Sequence, residues 1–234
     1  MTLLNISPFA ISRWGAFFNH FDLFFKGFLY TLGISFGALL LALILGILSG
    51  GLSTSKSKVG KLISRIYVEV FQNTPLLVQM VFVYYGLAII SNGHVMISAF
   101  FTAVLCVGLY HGAYISEVIR SGIEAVPKGQ TEAALAQGFT ANQTMQLIIL
   151  PQAVRTILPP MTNQVVNLIK NTSTVAIISG ADIMFVAKAW AYDTTNYIPA
   201  FAGAAIFYFV ICFPLASWAR KQEELNKKTI LKEV

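Results

Sequence analysis

Long apolar runs alternate along the chain with short polar linkers. Crossing a bilayer as a helix takes roughly 20 apolar residues, and five stretches meet that need: 27–52, 68–90, 95–116, 154–178 and 198–218. The first is uninterrupted. The second is broken by Gln72-Asn73-Thr74-Pro75, the fourth starts with a double proline and carries many polar side chains, and the fifth ends in Arg220-Lys221. A soluble core helix could account for one such run but not for five. The pattern predicts an all-α integral membrane protein with five transmembrane helices, and an odd number of spans puts the termini on opposite sides.

Composition sharpens this picture. The 234 residues are 56% apolar and only 11% charged, with a mean hydropathy of +0.69, whereas soluble domains carry roughly 25% charged residues. The net charge of +6 does not point to nucleic acid, because the basic residues sit between apolar runs and form no DNA-reading motif. Lys56, Lys58, Lys61 and Arg65 follow the first run; Arg120, Lys128 and Arg155 lie between the third and fourth. Arg220, Lys221, Lys227, Lys228 and Lys232 follow the fifth, making twelve of the sixteen basic residues in all. Cytoplasmic loops are the positive ones, so the N-terminus is expected outside and the C-terminus in the cytoplasm.

Three regions are expected on this topology: an outer-face interfacial segment over 1–26, a five-span domain over 27–219 and a cytoplasmic basic tail over 220–234. Residues 8–25 are aromatic and weakly charged, which suits either a helix at the outer interface or a disordered lead-in. No short apolar core ending in a small-residue cleavage site precedes the first span. Cys106 and Cys212 lie inside apolar runs with no metal-ligand spacing. Gly37, Gly46, Gly50 and Gly51 suit helix packing within the subunit first and a contact between subunits second.

Several chemistries are excluded. Gly60-Lys61 is followed by Leu62, and Ser55 stands where a phosphate-binding loop needs its first glycine. His20, His94 and His111 are far apart and form no zinc pair; Ser49, in an otherwise apolar span, has no evident His partner. No catalytic residue and no metal ligand is expected, nor is a cofactor bound by this chain.

The loop between the third and fourth spans, about 120–152, is unlike its surroundings. Pro127 can start a helix, and the good helix formers from Gln130 to Gln137 end at Gly138. Thr140 or Asn142 can cap a second short helix, which Pro151 is expected to stop before the fourth span. A short helix, a tight turn and a second short helix rich in small alanines form either a docking element or a spacer.

The residues of this loop resemble the cytoplasmic signature of ABC-importer permeases: Glu-Ala-Ala, three residues, Gly, nine residues, Ile, one residue, Leu-Pro. Glu132, Ala133, Ala134, Gly138, Ile148, Leu150 and Pro151 fill it without a miss. AYISEVIRSGIEAVPKGQ before it, NTPLLVQ at 73–79 and NLIKNTSTVAII at 167–178 look like the branch that imports polar amino acids. The resemblance runs from about Gly27 to the tail. It implies the type I ABC importer permease fold in a bacterial cytoplasmic membrane, with the signature residues forming a coupling helix. That helix sits in a cleft of a separate ATPase subunit, present as a dimer, which binds ATP and Mg. The other partners implied are an extracytoplasmic amino-acid-binding protein and a second permease subunit, identical or paralogous. Alternating access needs two related halves, and this chain shows no internal repeat.

A candidate solute path runs along the fourth span. Asn163, Asn167, Asn171 (or Lys170) and Thr174 recur every three to four residues and would line one helix face. In lipid such a stripe faces protein or a water-filled cavity. The polar break in the second span adds Gln72 and Thr74 to the candidates. Lys170 could hold a solute carboxylate, pair with a carboxylate near a subunit interface, or snorkel to an aqueous edge. Two positions depart from the family pattern: Gln72 where Arg is frequent, and Asn171 where Asp is common after Lys. An unpaired Lys170 favours glutamine or glutamate as solute; a cationic amino acid such as arginine or histidine is the alternative. An ion-coupled secondary transporter would not need the coupling loop, and a membrane scaffold would not need the polar stripe. Residues 180–199, between spans four and five, suit an interfacial aromatic belt or a docking face for the binding protein.

Overall fold

The computed structural model describes Ser7 and residues 9–230. Lys232 of the expected tail lies outside the described residues. Among the described residues the regular structure is all helical: α1 Ile11–Asn19, α2 Phe21–Thr54, α3 Lys58–Gln72, α4 Leu76–Val81, α5 Leu87–Ile90, α6 Ala99–Glu124, α7 Lys128–Ala136, α8 Ala141–Gln143, α9 Leu150–Asn171, α10 Ile183–Thr194 and α11 Tyr197–Ile230. π-helical turns fill Phe82–Gly86 and Thr144–Ile149, and a 3₁₀ segment, Thr172–Ile178, continues α9. Among the described residues three helices, Phe21–Thr54, Ala99–Glu124 and Tyr197–Gln222, are long and apolar enough to cross a membrane. The number rises to five if the bent pairs Lys58–Gln72 with Leu76–Ile90 and Ala141–Ile178 with Ile183–Thr194 each make one span.

The chain divides into two compact units. The first takes in the chain up to Ala38, Leu76–Val107 and Leu168–Phe213. Its core gathers Phe17, Phe24, Ile183, Val186, Trp190 and the small Ala187, Ala191, Ala200 and Ala204. Phe17 is 5% exposed, with ring centroids 4.7 Å from Phe24 and 6.3 Å from Trp190. The start of α10 is pinned from three sides. Asp182 accepts from the Met184 and Phe185 amides at 3.2 and 2.9 Å, Tyr208 donates to its Oδ2 at 3.2 Å, and the Ile183 amide donates to Thr31 Oγ1 at 3.1 Å. A carboxylate buried to this degree is tolerated because each oxygen has a donor.

The second unit holds Leu39–Pro75, Gly108–Asn167 and the chain from Pro214 on. Here α2 and α6 approach closely because glycine faces bulk: a Cβ on Gly46 would fall onto the Ile115 side chain, 2.7 Å from its Cβ, and one on Gly50 would meet Ile119 at 2.9 Å. Ile115 is fully buried and has nowhere to move. Gly46→Ala is therefore expected to cost about 1–3 kcal/mol through overpacking, read as a lower unfolding temperature of the solubilised protein. Gly51→Ala, in open space, should leave that temperature unchanged. Of the four glycines singled out in the sequence, Gly37 also packs internally, against Val104 in the first unit. A buried hydroxyl chain crosses three helices of the second unit: Ser116 donates to Ser49 at 2.9 Å, and Ser49 lies 2.9 Å from Ser64.

Four boundaries differ from the sequence expectation. The first span is longer, starting at Phe21, and the chain before it folds back as α1 to bury Phe17. The basic linker after it is mostly helix α3, capped by Ser57, whose Oγ accepts from Gly60 at 3.1 Å. The fifth helix continues past Arg220 to Ile230. Finally, Pro151 does not stop a helix, and the double proline Pro159-Pro160 lies inside α9. Ahead of Pro151 the π turn shifts the pairing, so that the Leu150 amide reaches back to the Met145 carbonyl. Gln152 then donates its side-chain amide to the Ile148 carbonyl at 2.8 Å. The wide turn accommodates a proline that an α-helix interior would not.

Candidate functional site

The signature segment is built from matching local devices. α7 starts after Pro127 and ends at Gln137. Gly138 follows with φ +89°, its amide donates to the Leu135 carbonyl at 3.0 Å, and the Phe139 amide donates to Ala134 at 3.2 Å. These two bonds and a left-handed glycine make a Schellman termination. Thr140 and Gln143 then form a capping box: Gln143 N to Thr140 Oγ1 is 3.3 Å and Thr140 N to Gln143 Oε1 is 2.9 Å. Of the two caps considered, Thr140 is the one used.

The signature residues divide by burial. Ala134 is 5% exposed, while Glu132, Ala133, Gly138, Leu150 and Pro151 are exposed and Ile148 is half-buried. α7 packs on the π-helical turn Thr144–Ile149, so Ala134 is small because of its own segment. Every residue of α7 except Ala134 is exposed, among them Glu132, Ala133 and the 48% exposed Leu135.

The polar stripe is split. Asn163, Asn167 and Lys170 are exposed along α9, whereas Asn171 and Thr174 are half-buried. The helix tightens after Asn171, and Thr174 turns its hydroxyl to the Asn171 carbonyl at 2.7 Å. Lys170 lines a cleft of about 260 Å³ in the first unit with Ser173, Phe201 and Tyr208. Among the described residues no carboxylate lies within ion-pair distance of Lys170.

Gln72 borders two clefts in the second unit. One, of about 460 Å³, includes Lys61, Ser64, Arg65, Glu69, Glu117 and Arg120. The other, of about 450 Å³, includes Tyr114, Glu117, Thr156 and Gln164. The charges are largely paired: Arg120 bonds Glu117 at 2.7 Å and also holds Glu124, and Arg65 lies 4.0 Å from Glu69. Gln72 Nε2 donates to the Ala113 carbonyl at 3.2 Å. Thr74 is exposed and donates to Val70 at 2.7 Å, and it lines neither cleft.

Sequence reasoning missed Tyr114, Gln164 and His111. Gln164 stands beside Asn163, one position off the stripe, and His111 carried no spacing signal because its neighbour lies 53 residues away.

Comparison with known proteins agrees with this architecture. Residues 42–224 match the family described as binding-protein-dependent transport system inner membrane component. The chain is 35% identical over 212 residues to the probable glutamine ABC transporter permease protein GlnM of Bacillus subtilis (strain 168), covering 91% of this chain and 97% of that protein. It is 36% identical over 187 residues to the putative glutamine transport system permease protein GlnP of Rickettsia felis, covering 80% and 85%. A crystal structure of an amino acid ABC transporter with histidines superposes with a TM-score of 0.83 at 31% identity, covering 90% of this chain and 97% of that chain.

The fold and the match together define a multi-pass membrane component of a bacterial ABC transporter. The chain belongs to the binding-protein-dependent transport system inner membrane component family and is a permease subunit, not the catalytic subunit. An ATPase and a binding protein are its implied partners.

Proposed function

We propose that this permease carries glutamine into the cell, driven by ATP hydrolysed with Mg in a separate ATPase dimer. The observation that carries the coupling half is the α7 segment, whose Schellman turn and capping box hold Glu132, Ala133 and Leu135 on an exposed face. Glu132 and Ala133, with Ala134, Gly138, Ile148, Leu150 and Pro151, fill the signature of the ATPase-docking loop. Ala134 supports that face from beneath.

The basic residues favour the orientation with the N-terminus outside and the C-terminus in the cytoplasm. A second permease subunit, identical or paralogous, completes the path, and an extracytoplasmic amino-acid-binding protein delivers the solute. The solute passes Asn163, Asn167 and Lys170, with Asn171, Thr174 and Gln72 bordering the route and Thr74 near its edge. The proposed division is an interfacial segment over 1–26, a transport domain over 27–219 and a basic tail over 220–234, although α2 already starts at Phe21 and α11 runs on to Ile230.

Glutamine is favoured by two observations. The carboxylates Glu69 and Glu117 that border the clefts already hold arginines, and relatives at 35% and 36% identity bear glutamine names. A cationic solute is the second reading, because the 31% identical crystal structure is of an amino acid transporter with histidines. The test is gentle solubilisation of tagged chain from native membranes, followed by identification of stoichiometric partners. An ATPase that is lost when residues 132–138 are scrambled is expected; a chain that comes out alone, while other complexes survive, overturns the reading.

A further inference from the structure

The 450 Å³ cleft of the second unit is bordered by two carboxamides, and each is tied at the opposite end. Gln72 uses Nε2 on the Ala113 carbonyl at 3.2 Å, so its acceptor Oε1 remains for a solute. Gln164 has its Oε1 3.3 Å from Nδ1 of His111. His111 is 2% exposed, and with the proton on Nδ1 it donates to that oxygen, so the Gln164 amide NH₂ remains for a solute.

We propose that Gln72 and Gln164 together read a side-chain carboxamide and reject both charged classes of amino acid. This rests on the amino acid permease reading above. A glutamine side chain meets both groups at once: its carbonyl accepts from the Gln164 NH₂ and its own NH₂ donates to Gln72 Oε1. Glutamate brings a second oxygen against Gln72 Oε1, acceptor to acceptor. A guanidinium or ammonium brings donors against the Gln164 NH₂, donor to donor. Each mismatch leaves a polar group without a partner in a partly desolvated place, which costs more than a lost bond. Discrimination here is therefore by what the wrong solute cannot satisfy.

The rest of the cleft suits the same solute. Glu117 borders the cleft with both carboxylate oxygens held by Arg120, Nε to Oε1 at 3.0 Å and Nη2 to Oε2 at 2.7 Å, which leaves no unpaired carboxylate there for a cationic side chain. Tyr114 and Thr156 border the cleft with hydroxyls. The volume lies within the range of about 300–1,000 Å³ usual for small-molecule sites. His111 acts as a positioning residue: it touches no solute but fixes which end of Gln164 faces it.

The experiment measures binding of tritiated L-glutamine to the permease–ATPase complex in lipid nanodiscs, with L-glutamate and L-arginine as competitors. Glutamine is expected to outcompete both by about tenfold or more. Gln164→Met and Gln72→Met should each erase most of that preference while the number of sites is kept. His111→Leu should do the same, and His111→Asn, which keeps a donor, should restore it. If the glutamine-to-glutamate ratio is unchanged in both methionine variants, the carboxamide pair is overturned and the permease reading stands. If the wild-type complex hydrolyses ATP yet binds none of the three, the amino acid reading falls as well.

Discussion

Gly138→Pro is expected to abolish ATP-driven uptake by this permease while leaving its membrane insertion intact. Gly138 sits at φ +89°, where proline, locked near −65°, cannot go. The same change deletes the amide that bonds the Leu135 carbonyl at 3.0 Å. Both halves of the Schellman turn fail together, and α7 loses its fixed angle to the helix that follows Thr140. Gly138→Asn, which tolerates the left-handed region, should keep most of the transport. Uptake into proteoliposomes, beside ATPase activity of the same complex, checks this. Wild-type coupling in the proline variant sinks the docking role.

Phe17→Ala should be strongly destabilising to the first unit, by about 3–5 kcal/mol. Its ring fills the space between Phe24 and Trp190, and a Cβ on Gly203 would fall onto it, 2.5 Å from Cζ. Nothing else on α1 is buried, so the helix has no other anchor of that kind. Phe18→Ala, next door and 66% exposed, is the control and should be nearly neutral. Thermal unfolding of the solubilised protein with protease sensitivity of the N-terminal segment reads both. Equal effects would remove the packing account of α1.

The two variants mark where sequence reasoning was strong and where it was not. Gly138 was legible because its role is local: a glycine after a run of helix formers, followed by a capping threonine, states a helix end without reference to anything distant. Phe17 was not legible, since one phenylalanine in an aromatic stretch looks alike whether it lies against lipid or against Trp190, 173 positions further on by the difference of their numbers. Pro151 misled for a related reason. Proline stops an α-helix by sterics and a missing donor, and here the π turn over Thr144–Ile149 widens the helix ahead of Pro151 so that the chain continues.

The sequence by itself determined the helical membrane class, the permease family and the helix–turn–helix loop that ends its first helix at Gly138. The membrane class follows from hydrophobic run length and charge placement, the helix end at Gly138 from short-range spacing, and the family from the resemblance of the 132–151 signature. Tertiary structure alone decided that the fourth-span stripe ends at Asn171 where the helix tightens, that Ala134 faces inward, and that Gln72 and Gln164 border one cleft with His111 behind. Those contacts join residues 41 and 53 positions apart, and no spacing rule reaches that far. Which end of a carboxamide is free is set by the neighbour that holds the other end, and that neighbour is supplied by packing.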